Sequence, residues 1–403
     1  MTTSSEFLAE PCGVPRDFSQ TMEMTLQQTA DFFRTYDRFL LCCHANPDGD
    51  TLGSALALYH MLDLMGKQVQ IVCPTPVPQR LSFLPRETSI EMTLPLDLAR
   101  YTIVSVDVAA KNLLQSFVPV LFGDETDQPR LASPSQKIAG QDSELAASED
   151  ATQNKQDLFH VGVDLAIDHH GTHQAFARRL LLRRDACACG EMIFDLICLL
   201  GGYDDNHPMP AALAVPLYVA ISTDSGSFMY ENVTAKTHQR VACLLHSGID
   251  HAKICERLYQ TKTLSEVRAT RAAYDLMHLY YDDKVSMAWF DKQDMEKYML
   301  RDEDVSDVVN LLRGIAGVQI AVHIKYRGPG EYKVSVRSES ETDIRPLCQI
   351  FGGGGHRCAA GCTVYEKDAA SVAQRMVEQI GKLFFDGMEH QSVITEERCR
   401  TQK

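Results

Sequence analysis

Residues 38–50 read RFLLCCHANPDGD, and the division of that stretch decides the fold. Arg38 to His44 is a short apolar run with the length of a buried strand. A polar turn follows through Asn46, Pro47, Asp48 and Asp50, and then an apolar helical stretch from about Thr51 to Met65. Gly66 stands where a helix C-cap is expected. The pattern repeats outward. Thr21 to Tyr36 reads as an amphipathic helix before the first strand. Val69–Cys73, Thr102–Asp107 and Val163–Asp168 read as further strands, and 189–201 and 210–221 as helices. Strands alternating with helices predict an α/β fold with a parallel sheet and flanking helices.

From Lys284 the pattern changes. Val285–Phe290 is strand-like, and Val305–Arg313 is helical. Val318–Tyr326 and Tyr332–Arg337 alternate on either side of Arg327-Gly-Pro-Gly330, a hairpin signal. Asp343 is placed to cap a helix over 344–351. A glycine run, a strand near 361–365 and a closing helix over 368–385 complete a smaller α+β domain. The expected organisation is a loose leader over 1–20, a catalytic domain over 21–258 and a helical linker over 259–283. The smaller domain follows over 284–388 and a tail over 389–403, with the active site in the cleft between the two domains. Residues 124–157 carry eight acidic and three basic residues and no aromatic one, so they read as a disordered insertion.

The formal net charge is −15, which argues against coating of duplex nucleic acid or anionic lipid by bulk electrostatics. No apolar run reaches the roughly 20 residues of a membrane span. The N-terminus lacks a signal-peptide pattern, so the 13 cysteines read as reduced thiols in a cytoplasmic protein. Cys187 and Cys189 have no partner cluster and read as core thiols.

Four segments place Asp or His at the carboxyl end of an apolar strand or in the turn after it, the edge where open parallel sheets bind ligands. They are His44 to Asp50, Asp107, Asp168-His169-His170, and Asp224 in Ser222-Thr-Asp224-Ser-Gly226. Asp48 and Asp50 also suit a helix start. His173 reads as an ordinary loop histidine. Together the segments supply two imidazoles, His44 and His169, and four carboxylates, Asp48, Asp50, Asp107 and Asp224. Asp168 is placed to orient a neighbouring histidine. That set suits two divalent ions sharing a carboxylate, with mixed ligation favouring Mn2+ and leaving Mg2+ or Co2+ as substitutes. Two such ions roughly 3.5–4 Å apart clamp an in-line displacement at phosphorus. Downstream, Gly352, Gly353, Gly354 and Gly355 precede His356, and Arg337-Ser338 ends a strand. These are candidates for holding phosphate.

With these motifs in place the chain resembles the DHH phosphoesterase superfamily. The likeness rests on HANPDGDTLGS (44–54), VSVDVA (104–109), IDHHGTH (167–173) and STDSGSF (222–228), with VSVRS (334–338) and FGGGGHRCAAG (351–361) similar to the DHH-associated domain. It spans about residues 25–385 and is nearest the compact two-domain NrnA type, bifunctional oligoribonuclease and pAp phosphatase. The resemblance implies that His44, Asp48 and Asp107 hold one Mn2+, and that Asp50, Asp107, His169 and Asp224 hold the other. It implies that His170 faces the substrate phosphate and that Arg337, Ser338, the 352–355 glycines and His356 grip the rest of the nucleotide. The chain departs from the family at Gly171-Thr-His173, where proline and asparagine are frequent.

The expected activity is hydrolysis of short single-stranded RNA, about two to five nucleotides, to mononucleotides, together with dephosphorylation of 3′-phosphoadenosine 5′-phosphate (pAp). The length preference comes from the resemblance alone. The alternatives are a pApA hydrolase in cyclic-di-AMP turnover and a nucleotide-binding sensor without turnover. The expected partners are these short nucleotides, with no membrane or long duplex and with room for a homodimer.

Overall fold

A computed structural model describes residues 21–84, 88–123, 161–204, 206–301, 304–339 and 341–385. The expected leader, insertion and tail lie outside the described residues. Contacts divide the chain into two units, Met1–Asp250 and His251–Lys403.

The first unit contains β1 (Met22–Glu23), α1 (Leu26–Thr35), β2 (Arg38–Cys42), α2 (Gly49–Leu64), β3 (Gln68–Val72), β4 (Ile90–Glu91), β5 (Thr102–Val106), α3 (Val118–Phe122), β6 (Val163–Asp168), β7 (Ala177–Leu182), α4 (Cys189–Gly201), α5 (Ala211–Asp224) and α6 (Ala235–His246). Its seven strands form one sheet in the order β1-β7-β6-β5-β2-β3-β4, and every pairing is parallel. The central strands β2, β5 and β6 are almost wholly buried, as continuous apolar runs between two helix layers should be. From β2 the chain builds outward to β3 and β4, then returns to β5 and builds the other way. The carboxyl ends of β2 and β5 therefore flank a topological switch point, with β6 beside it.

Sequence and structure differ in places with physical causes. The first helix starts at Leu26, because Thr25 caps it in a reciprocal pair with Gln28, and Met22–Glu23 pairs with β7. Strand β7 (ARRLLL) gives no clear strand signal. Its arginines find partners in the fold, Arg179 over the Phe32 ring and Arg178 at 3.9 Å from Asp164. Helix α6 ends at His246, and Gly248 just beyond it takes φ +75°.

The second unit contains α7 (His251–Cys255), α8 (Leu264–Asp275), β8 (Met277–Tyr280), β9 (Val285–Phe290), α9 (Lys292–Lys297), α10 (Val308–Arg313), β10 (Ile320–Gly328), β11 (Glu331–Ser338), α11 (Arg345–Ile350), β12 (Gly354–His356), β13 (Ala359–Tyr365) and α12 (Ala369–Phe384). Its sheet runs β12-β13-β11-β10-β9-β8 and is mixed, with only β9 and β10 parallel. The β10–β11 hairpin closes at the Gly-Pro-Gly turn as the sequence indicates. Within the stretch expected to be a helical linker, α8 ends at Asp275 and the apolar residues after it form edge strand β8. Short apolar runs leave helix and strand ambiguous until a partner strand decides. Ala269, Ala272 and Ala273 of α8 pack in one cluster with Phe290, Val309 and Leu312 of the same unit. Among the described residues, no helix is long and apolar enough to cross a membrane.

Candidate metal centre

His44 follows β2, Asp107 follows β5, and Asp168 ends β6 with His169 and His170 beyond it. Adjacent parallel strands thus deliver three of the four motifs to one sheet edge. The fourth arrives differently from the sequence expectation. Asp224 is the last residue of α5, not part of a turn after an apolar strand, because the helical pattern continues through Ser222 and Thr223. Helices α2 and α5 bring it in. A Cβ on Gly49 would overlap the Thr223 side chain, and one on Gly53 would overlap the carbonyl oxygen of Pro216. The two helices approach closely only because these positions are glycine. That approach sets Asp50 of α2 near Asp224.

The sequence-predicted ligands converge. His44 Nε2 lies 3.7 Å from Asp48 Oδ2 and 3.8 Å from Asp107 Oδ2. His169 Nε2 lies 3.3 Å from Asp224 Oδ2, 3.5 Å from Asp107 Oδ1 and 3.8 Å from Asp50 Oδ2. The two oxygens of Asp107 therefore face the two groups, one each. Ligand atoms about 2.1 Å from an ion lie roughly 3.0–3.4 Å apart, close to these spacings. His44, Asp48 and Asp107 form one group able to hold an ion, and Asp50, His169 and Asp224 form another. Asp107, His169 and His170 form a third, but His170 Nδ1 is taken by Asp168 at 2.7 Å.

Each participant is held by other groups. His44 Nδ1 meets Ala45 O at 3.0 Å and His169 Nδ1 meets Ala186 O at 3.1 Å, which turns both Nε2 atoms toward the carboxylates. Asp48 serves twice: Oδ1 caps α2 by accepting from the N–H groups of Asp50 and Thr51, while Oδ2 faces His44. The cap and the ligand, alternatives in the sequence, are here the same residue. Asp50 accepts from Ser54 Oγ at 3.1 Å and from the N–H groups of Cys189 and Gly190 at 2.6 and 2.9 Å, at the N-terminus of α4. Asp107 adopts φ +60°, an uncommon backbone that aspartate tolerates, while its N–H donates to Ile167 O.

The electrostatics identify what the cluster lacks. Burial, with crowding by Asp50, Asp48 and Asp224, pushes the Asp107 carboxyl well above its ordinary value. Burial and neighbouring carboxylates push Asp224 up to about 8 and Asp50 up to about 6. Burial would lower the two histidines, but Asp48, the Ala45 carbonyl and Asp50 together outweigh it at His44, and Asp224, Asp50, the Ala186 carbonyl and Asp168 together at His169, so both are raised. Asp107 Oδ1 is buried without a hydrogen-bond partner among the described residues. Crowded, under-paired carboxylates with imidazole lone pairs aimed among them fit divalent cations, which would ionise them again.

Asp168 is fully buried and has no outward face. Oδ1 accepts from His170 Nδ1 and from the N–H of His169 at 2.8 Å, and Oδ2 accepts from His173 Nδ1 at 2.5 Å. Burial would raise this carboxyl, but the His170 and His173 hydrogen bonds hold it below the usual range. Sequence reasoning passed over His173; a third histidine within five residues was the available signal. It also passed over Ser54 and the Cys189–Gly190 amides, whose role depends on chain approach.

In the second unit, Arg337 is half-buried and donates to Val336 O, and Ser338 is buried with its hydroxyl donating to Thr342 O at 2.6 Å. The Ser338 hydroxyl thus braces the 338–342 turn. The glycine run is partly strand: Gly354 to His356 pairs antiparallel with Ala359 to Gly361. A Cβ on Gly353 would overlap Gly361 O and Cys362, and Gly355 adopts φ +146° against Ala359 and Ala360, whereas Gly354 faces open space. Two of the four glycines are therefore required by packing. His356 is exposed.

Residues 38–221 match the DHH family, N-terminal domain, and residues 292–382 match the DHHA1 domain, together more than half of the chain. The chain belongs to the DHH family. As a DHH protein it is a hydrolase of phosphoesters. Among curated relatives, it is 27% identical to the bifunctional oligoribonuclease and PAP phosphatase NrnA of Thermus thermophilus, over 84% of this chain and 88% of that one. It is 26% identical to the protein of the same name from Bacillus subtilis, over 83% and 92%. Among solved structures, an exopolyphosphatase-related protein from Bacteroides fragilis shares the fold with a TM-score of 0.70 at 23% identity, covering 89% of this chain and 96% of that one.

Proposed function

We propose that this DHH protein is an Mn2+-dependent phosphoesterase that degrades RNA of about two to five nucleotides to mononucleotides and removes the 3′-phosphate of pAp. The observation that carries the reading is the gathering of two imidazoles and three further carboxylates around Asp107, in a chain aligned over most of its length with relatives named for both activities.

Two divalent ions in this cluster would lower the pKa of a water and neutralise charge on the phosphoryl oxygens. His44, Asp48 and Asp107 would hold one, and Asp50, Asp107, His169 and Asp224 the other. The protein's own part is positional. The carbonyls of Ala45 and Ala186 orient the two ligand imidazoles. Asp168 holds His170 by Nδ1 and so orients its ring toward a phosphoryl oxygen. Arg337, the glycine loop from Gly352 to Gly355, and His356 hold the remainder of the nucleotide, with Ser338 bracing the turn that follows Arg337. The free cysteines of the described residues fit a reducing cytoplasm.

The test is incubation of purified protein with Mn2+ and, separately, a 5′-labelled ribo-tetramer, pApA, pAp and pyrophosphate, with Asp107→Ala as control. Mononucleotides from the tetramer and AMP from pAp are expected. Cleavage of pApA alone would reassign the enzyme to second-messenger disposal, and tight pAp binding without turnover would make it a sensor.

A further inference from the structure

His173 sits behind the metal centre, with its side chain 2% exposed and its ring 5.6 Å from that of Phe176. Its Nδ1 is 2.5 Å from Asp168 Oδ2, and its Nε2 is buried without a hydrogen-bond partner among the described residues. A phenylalanine or leucine would fill this space against Phe176 without leaving a buried lone pair unsatisfied, which is unfavourable. What an imidazole adds is one N–H donor, aimed at Asp168.

That donor matters because of what the other oxygen does. Asp168 Oδ1 accepts from His170 Nδ1 at 2.7 Å, and a carboxylate only accepts, so Nδ1 of His170 carries the proton. Oδ1 also accepts from the N–H groups of His169 at 2.8 Å and His170 at 3.3 Å, so three donors share it, and any turn of the carboxylate about Cβ–Cγ moves Oδ1 and the His170 ring together. The His173 contact at Oδ2 is the second restraint on that turn and pins the far side of the carboxylate. The turn makes this compact: the His173 N–H donates to His170 O at 3.2 Å, and the Gln174 N–H donates to Ala109 O at 2.8 Å, tying the segment to the residues after β5.

We propose that His173 is a positioning residue that acts through Asp168 to fix the orientation of His170 toward the substrate phosphate. The proposal deepens the phosphoesterase reading and rests on it for the role of His170.

The experiment compares His173→Phe, which keeps the ring and removes the donor, with His173→Asn, whose amide nitrogen reaches nearly as far as Nδ1. With Mn2+ and the tetramer or pAp, Phe is expected to lower kcat about 10–100-fold, as loss of such an outer partner does. KM should stay within about twofold. Asn should restore most of the rate, and calorimetric Mn2+ affinity should be unchanged in both. In a His170→Ala background His173→Phe should cause no further loss, since its effect passes through His170. An equal loss in that background, a loss of Mn2+ affinity, or an Asn variant as slow as Phe would overturn the inference. If the protein hydrolyses none of the substrates, NMR of histidine-labelled protein still decides: the downfield Nδ1–H signal of His170 should shift or broaden in His173→Phe and return in His173→Asn. An unmoved signal refutes the positioning role whatever the substrate.

Discussion

Asp107 in the first unit is 2% exposed, adopts an uncommon backbone angle and has an oxygen without a hydrogen-bond partner among the described residues. His356 in the second unit is exposed and sits on a short edge strand whose neighbouring glycines are largely required by backbone packing. Both belong to short polar motifs that follow apolar runs. In the first, buried carboxylates crowd one another and hold their protons more tightly, a donor set that fits divalent cations. In the second, Gly353 and Gly355 are required by packing against β13 and Gly352 takes φ +71°, while Gly354 faces open space.

Several variants break or sharpen this contrast. Asp107→Ala removes the carboxylate facing both ligand groups, so hydrolysis should fall by more than the roughly 10–100-fold typical of an outer partner. Metal titration should show loss of both ions; a variant that keeps two would break the bridging assignment. Gly53→Ala pushes α2 from α5 without touching a ligand and should lower stability by about 1–3 kcal/mol as overpacking does, with activity falling too. Thermal melting beside kinetics reads both.

Apparent metal affinity should rise with pH. Asp50, raised to about 6, and Asp224, raised to about 8, must lose protons to bind, so affinity climbs between about pH 5 and 8 and levels above it. The metal-free protein shows the opposite trend. Carboxyls raised above their unfolded values are protonated in the fold, so their stabilisation is present at low pH and lost as pH rises from about 4 through 8. Calorimetry with and without Mn2+ across that range checks both signs. The smallest effect tests the second unit. Gly353→Ala should lower the melting temperature, while Gly354→Ala should leave it within about a degree and raise KM severalfold. A Gly354→Ala enzyme with unchanged KM would mean that this glycine makes no contact with substrate.

Much of this was legible in the sequence. Continuous apolar runs marked β2, β5 and β6, and helix α4 was bounded correctly at Cys189 and Gly201, because buried parallel strands and strongly apolar helices carry undiluted signals. The six Asp and His residues singled out as metal ligands lie together with His170 at the carboxyl edge of the first sheet, whereas His356 lies on β12 of the second unit. The illegible parts depend on approach between distant segments. Strand β7 hides behind two arginines that find partners only in the fold. Asp224 looked like a turn residue because its helix is apolar on every side. The amides of Cys189 and Gly190 reach Asp50 across about 140 residues of chain, a contact no local pattern encodes.

The seam between α2 and α5 has a practical consequence. Its glycines carry no ligand side chain, yet the interval between Asp50 and Asp224 is set there, in the buried contact between the two helices. Substituting along that seam, and leaving every ligand alone, amounts to turning a micrometer screw on the cluster.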